Sequence, residues 1–162
     1  MTGLAPGHGY AAPRPRRWDP SFVVRAPRQH VFDYLADPRN RPEWQASLRS
    51  VDVLDAGQPR VGMRWVDRLH GGLRFTLEIV AMDDGVLWAE RGRTGPLTAY
   101  VTLLLDDVDR PDTVEGPGTR VRIMSRFEGR GPARPLAKVA TVVMALLVRV
   151  DVPRLRRILQ LG

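Results

Sequence analysis

Between Gly118 and Val150 the chain reads GTRVRIMSRFEGRGPARPLAKVATVVMALLVRV, and its hydrophobic period changes once along the way. Val121 and Ile123 fall on one parity while Arg120, Arg122 and Arg126 fall on the other, the period-two signature of a strand with one buried and one wet face. After Pro132 the apolar positions become Leu136, Val139, Ala140, Val143, Leu147 and Val150, which lie on one stripe of a helix. At about 1.5 Å per residue that helix could run about 40 Å. Pro153 is expected to kink or interrupt it, because proline removes one backbone hydrogen bond. Arg154 to Leu161 would then complete it with a basic exposed side. The fold therefore ends on a strand that leads into a long helix.

Upstream of this stretch the period is also two. Ser50–Leu54, Met63–Leu69, Leu73–Met82, Val86–Arg93, Leu97–Asp106 and Thr119–Glu128 read as strands. Turn residues separate them, among them Gly57-Gln58-Pro59, Gly71-Gly72, Asp83-Asp84-Gly85 and Gly116-Pro117-Gly118. Earlier still, Ser21–Arg25 reads as a first strand. Pro27 then opens a short amphipathic helix carrying Val31, Phe32 and Leu35, which Asp37-Pro38 closes. Pro38 to Trp44 is too broken for more than a second helical turn. The order is strand, two short helices, six strands and one long helix. It predicts an α+β helix-grip fold, a curved antiparallel sheet of about seven strands around the C-terminal helix. The domain is expected to span residues 18–162, and residues 1–17, rich in Pro, Gly and Arg with no apolar period, to form a flexible arm.

Composition excludes several chemistries. With 43% apolar and 27% charged residues in 162 the chain can build a core. Without cysteine there is no disulfide, thiolate metal site or nucleophilic thiol. Lys138 is the only lysine and lies in the helical pattern, which disfavours Schiff-base chemistry. There is no G-x-S-x-G nucleophile elbow and no P-loop, and His8, His30 and His70 are too scattered to ligate a metal. No cofactor and no metal are expected. The net charge of +7 raises nucleic acid and anionic membranes as partners, but the arginines are spread from Arg14 to Arg157 and mostly alternate with apolar residues. They read as a solvated surface, and neither a nucleic-acid nor an anionic-membrane partner is expected. Met1–Arg17 has no secretory apolar core, and the longest apolar run, Val139–Val148, is ten residues, so no integral membrane segment and a cytoplasmic location are expected.

The segment Ala26–Trp44, APRQHVFDYLADPRNRPEW, with its Pro, Val-Phe, Leu, Asp-Pro and closing Pro-x-Trp, resembles the opening of the START-like superfamily, also called SRPBCC or polyketide cyclase/dehydrase. Val61-Gly62-Met63-Arg64-Trp65, Glu78-Ile79-Val80, Gly118-Thr119-Arg120-Val121 and the last helix extend the resemblance over about residues 18–160. It implies a pocket between the concave face of the sheet and the last helix. The superfamily spans transport, cyclisation, dehydration and ligand sensing, so the resemblance specifies fold more than activity.

Residues on the apolar parity of their strands, on the last helix or among the tryptophans are the candidate ligand-binding set: Trp44, Met63, Trp65, Phe75, Leu77, Trp88, Phe127, Val143 and Leu147. For each, plain core packing is the simpler reading and the preferred one. Asp67 and Ser125 share the inward parity, where a carboxylate or hydroxyl must be paired or functional; strand-end exposure is the plainer reading and the preferred one. His70 in its turn and Arg91, whose facing relative to Trp88 and Glu90 stays open, complete the candidate acid–base group. The first functional expectation is binding of a hydrophobic small molecule, such as a lipid, aromatic or polyketide-like compound. The alternative is a cofactor-free polyketide cyclase/aromatase or dehydratase using acid–base residues in the same cavity. A third is a protein-interaction domain. Val139–Val148 is apolar nearly all round, as a helix between protein and ligand, or one forming a homodimer contact, would be.

Overall fold

A computed structural model describes residues 10, 11, 13–17, 19–108 and 118–161. Most of the expected arm, including His8, lies outside the described residues, as do Trp18 and the Gly116-Pro117 part of the last turn. Seven strands form one curved, open antiparallel sheet in the order β1-β7-β6-β5-β4-β3-β2. They are β1 (Ser21–Val24), β2 (Leu48–Val53), β3 (Arg64–Leu69), β4 (Arg74–Asp83), β5 (Leu87–Thr94), β6 (Leu97–Val108) and β7 (Gly118–Gly129). From β2 to β7 every strand pairs with its sequence neighbour, as short turns require. In the β3–β4 turn, Gly71 and Gly72 have φ of +91° and +90°, a conformation that side chains with a Cβ rarely adopt.

The helices are α1 (Arg28–Ala36), α2 (Arg41–Trp44), which follows a 3-10 turn over Pro38–Asn40, and α3 (Arg134–Leu161). β1 and β2 occupy opposite edges of the sheet, so the segment carrying α1 and α2 must cross from one edge to the other. At the far end, β7 reverses sharply into α3. A Cβ on Gly129 would stand 2.1 Å from the Ala133 carbonyl oxygen, so this approach needs glycine.

Register pairing carries several inward rows across the sheet. Val51, Asp67 and Phe75 are in line, as are Trp65 and Leu77, Ile79 with Glu90 and Val101, and Trp88 with Leu103 and Ile123. Trp65, Phe32, Ile79, Leu105, Val121 and Leu155 are among the fully buried core side chains. On the opposite face Thr102 and Met124 are also buried, and the Tyr10 hydroxyl hydrogen-bonds the Thr102 hydroxyl.

Pro153 does not end α3, and the helix continues through it without interruption for 28 residues. Proline deprives the Arg149 carbonyl of its i+4 donor, but both residues are exposed, where water can take the donor's place. Asp151 before the proline and Leu155 and Leu159 after it are buried, so packing holds both flanks in one helix.

Candidate functional site

The crossing segment delivers a cation to the middle of the sheet. Asp37 caps the 3-10 turn by accepting from the Arg39 N–H at 3.0 Å, and Asn40 Nδ2 donates to the Tyr34 carbonyl at 2.9 Å. These bonds fix the position of Arg41 at the start of α2, where only 6% of the residue is exposed. Its Nη1 donates to Glu90 Oε2 at 2.8 Å and its Nη2 to Asp67 Oδ2 at 2.8 Å. Asp67 Oδ1 also accepts from Trp65 Nε1 at 3.0 Å. The guanidinium carbon lies 5.6 Å from the Trp65 ring centre, and Trp65 stacks on Trp88 at 6.3 Å with the planes 22° apart.

One buried guanidinium therefore serves two buried carboxylates, and the electrostatics follow. Burial, helped by the nearby Asp67 charge, pushes the Glu90 carboxyl up to about 7 against the pull of Arg41. For Arg41, burial alone would lower the pKa, but Asp67 and Glu90 outweigh it and keep the guanidinium above its ordinary value. The Asp151 carboxyl on α3 is also raised by burial, less so because it accepts from the Ala46 N–H at 2.9 Å and feels Arg154 and Arg41.

Between this cluster and α3 lies a cavity of about 90 Å³. Its apolar walls include Phe22, Leu35, Leu103 and Ile123 from one side and Leu147 and Leu155 from α3. Arg41, Trp44, Gln45, Ser47, Trp88, Glu90 and Asp151 supply its polar lining. Three buried donors, Arg41 Nε, Trp44 Nε1 and Trp88 Nε1, find no acceptor among the described residues. A buried donor left unpaired costs about 1–3 kcal/mol, so this wall suits a molecule that brings acceptor oxygen. Mostly apolar walls with a few convergent polar groups are the usual form of a small-molecule site.

The family described as polyketide cyclase/dehydrase and lipid transport matches residues 17–160. The chain belongs to that family. It is thus a member of the START-like, or SRPBCC, superfamily. An aromatase/cyclase from Streptomyces sp. R1128 shares the fold at a TM-score of 0.69 and 15% identity, over 88% of this chain and 92% of that one. A hypothetical protein of Helicobacter pylori does so at 0.68 and 16%, over 98% and 99%. The di-domain ARO/CYC BexL does so at 0.63 and 14%, over 86% of this chain and 44% of the larger protein. At these identities the likeness is one of fold. No curated protein is similar enough in sequence to match.

Within this cyclase-family fold, Asp67 joins the Arg41 cluster, whereas the other acid–base candidates lie elsewhere. His70 is exposed in the β3–β4 turn, Ser125 is exposed on β7, and Arg91 pairs with Glu78 at 2.7 Å on the outer face. Of the apolar candidates, Trp44, Trp88 and Leu147 line the cavity. Met63, Trp65 and Leu77 are buried deeper in the sheet core, with Phe75 packed at its margin. Phe127 is half-buried towards the end of β7, beyond the cavity. Val143 is 46% exposed and stands outside it, because on α3 the inward side is held by Met144, Val148 and Asp151.

The strand pairing resolves the facing of β5: Trp88 and Glu90 point inward and Arg91 outward. Arg41 and Glu90 were not singled out from sequence. Arg41 falls in a stretch without periodicity, and the one available signal for Glu90 was its parity with Trp88. Among the described residues no cluster of His, Asp and Glu could hold a metal ion, and no helix is long and apolar enough to cross a membrane.

Proposed function

We propose that the protein binds an apolar small molecule carrying at least one acceptor oxygen, in the cavity between the sheet and α3. The observation that carries this reading is the conjunction of apolar walls with three unpaired buried donors, on Arg41, Trp44 and Trp88. A volume of about 90 Å³ compares with roughly 30 Å³ for one liquid water. A lipid- or polyketide-sized molecule therefore enters only if the overhanging half of α3 moves outward. Membership of a family described by cyclase, dehydrase and lipid-transport activity is consistent with either holding or transforming such a ligand.

One observation favours catalysis as a second reading. Glu90 lines the cavity with its carboxyl raised to about 7, so near neutral pH it can give or take a proton, while Arg41 supplies fixed positive charge beside it. That pair suits proton transfer beside a ligand carbonyl, the chemistry of a cyclase or dehydratase.

The test is uptake of a hydrophobic fluorescent probe. Wild type should bind it, and Leu147→Trp, which fills the cavity, should abolish binding at a stability cost of about 1–3 kcal/mol. No binding by the folded wild type would remove both readings. Binding that survives Glu90→Gln while turnover of a poly-β-ketone substrate disappears would favour the enzyme over the carrier.

A further inference from the structure

The cavity uses one side of α3; the other side is unpartnered and apolar. Leu136, Val139, Val142, Val143, Leu146 and Val150 are all between 46% and 62% exposed. Their spacing of three and four residues makes them one continuous stripe of aliphatic side chains. Exposed apolar surface of this extent marks an interaction site rather than a solvated face. The same helix carries Arg134, Lys138, Arg149, Arg154, Arg156 and Arg157, all exposed. Its sole acid, Asp151, is buried against the sheet side. Arg134, Lys138 and Arg149 have no ion-pair partner among the described residues. At 100° per residue, Lys138 and Arg149 fall together along one border of the stripe.

The β3–β4 hairpin tip lies at the same end of the sheet as the start of α3. It adds an exposed leucine, Leu73, with Arg74 beside it, and Arg49, Arg68 and His70 gather around the same turn. Apolar surface bordered by positive charge thus occurs on two separate elements at one end of the molecule.

We infer that the outer face of α3 docks on an anionic lipid surface. A second copy of the chain is a poor occupant, because an antiparallel α3-to-α3 contact would set the two basic rows side by side with no exposed acid on the helix to neutralise them. A protein partner ordinarily meets aromatic anchors, and α3 has no aromatic residue. A bilayer requires only aliphatic side chains at the acyl boundary and diffuse positive charge at the headgroups. The spread of arginines along the sequence hides this arrangement, which the helix assembles by bringing residues four and eleven apart onto one border. The inference stands whether or not the cavity takes a ligand.

The experiment is flotation of the full chain with phosphatidylcholine vesicles, with and without about a third phosphatidylglycerol. Binding should appear with the anionic lipid only, weaken with added salt, and fall roughly tenfold or more in the double variant Val142→Glu, Leu146→Glu. Neither residue lines the cavity, so probe uptake should be unchanged in that variant, which also shows that it folds. Lys138→Glu with Arg149→Glu gives an independent check and should weaken binding in the same direction. Vesicle binding unaffected by either pair would place the contact elsewhere and overturn the inference. So would a protein that ignores vesicles, whether it stays monomeric or sediments as a dimer that Val142→Glu disperses.

Discussion

The two halves of α3 are built from similar residues and do different work. From Asp151 onward the helix is anchored: Asp151 accepts from the Ala46 backbone, Leu155 and Leu159 are buried, and Arg156 Nε donates to the Val23 carbonyl at 3.0 Å. From Leu136 to Val150 only Ala137 is buried; Met144, Leu147 and Val148 turn toward the cavity, and Leu136, Val139, Val142, Val143, Leu146 and Val150 stand in solvent. One half is a clamp and the other a cover, and the cavity lies under their junction. Local opening favours segments with few buried contacts, so the cover is the part that can lift to admit a ligand.

Truncation on each half separates them most sharply. Leu155→Ala, at a residue 1% exposed, should lower unfolding stability by about 2–5 kcal/mol. Val142→Ala, at a residue 62% exposed, should change it by no more than about 0.5 kcal/mol. Chemical denaturation of both variants checks the contrast. Equal losses would mean that the two halves are equally docked.

A smaller effect tests the cluster beneath the junction. Glu90 has a folded-state pKa raised to about 7 from an ordinary 4.5, so between those values the folded state holds a proton that the unfolded chain has released. Stability should therefore fall as pH rises from about 4.5 to about 7, by on the order of 3 kcal/mol, and then level off. Burial raises Asp151 as well, which adds to the slope in the same direction. Glu90→Gln should flatten most of that slope, read by denaturation midpoints across the range. An unchanged slope would show that Glu90 titrates as an ordinary carboxyl.

The sheet was legible because its strands alternate, and their observed ends lie within about two residues of those read from the period. The clamp and cover were not. Both carry an apolar stripe, and the stripe does not say which side meets the sheet; Leu147 turns inward and Val143 outward although both fall on the expected face. On β5, alternation fails as a guide because Leu87, Trp88, Ala89 and Glu90 are all buried in the central strand. Arg41 had no local signal at all. Its role depends on β1 and β2 lying at opposite edges, which sends the segment between them across the sheet, and no window of sequence contains that fact. Asp67 could be flagged from parity alone, but not its partners.

Backbone hydrogen exchange along α3, measured on the free protein and again with a saturating hydrophobic probe, tests the central claim most directly. The amides of residues 136–150 should exchange faster than those of 151–160 in the free protein, and should become protected when the probe occupies the cavity. Equal exchange in both halves, or a bound probe that leaves residues 136–150 unprotected, would contradict the claim that this half of the helix covers a ligand site.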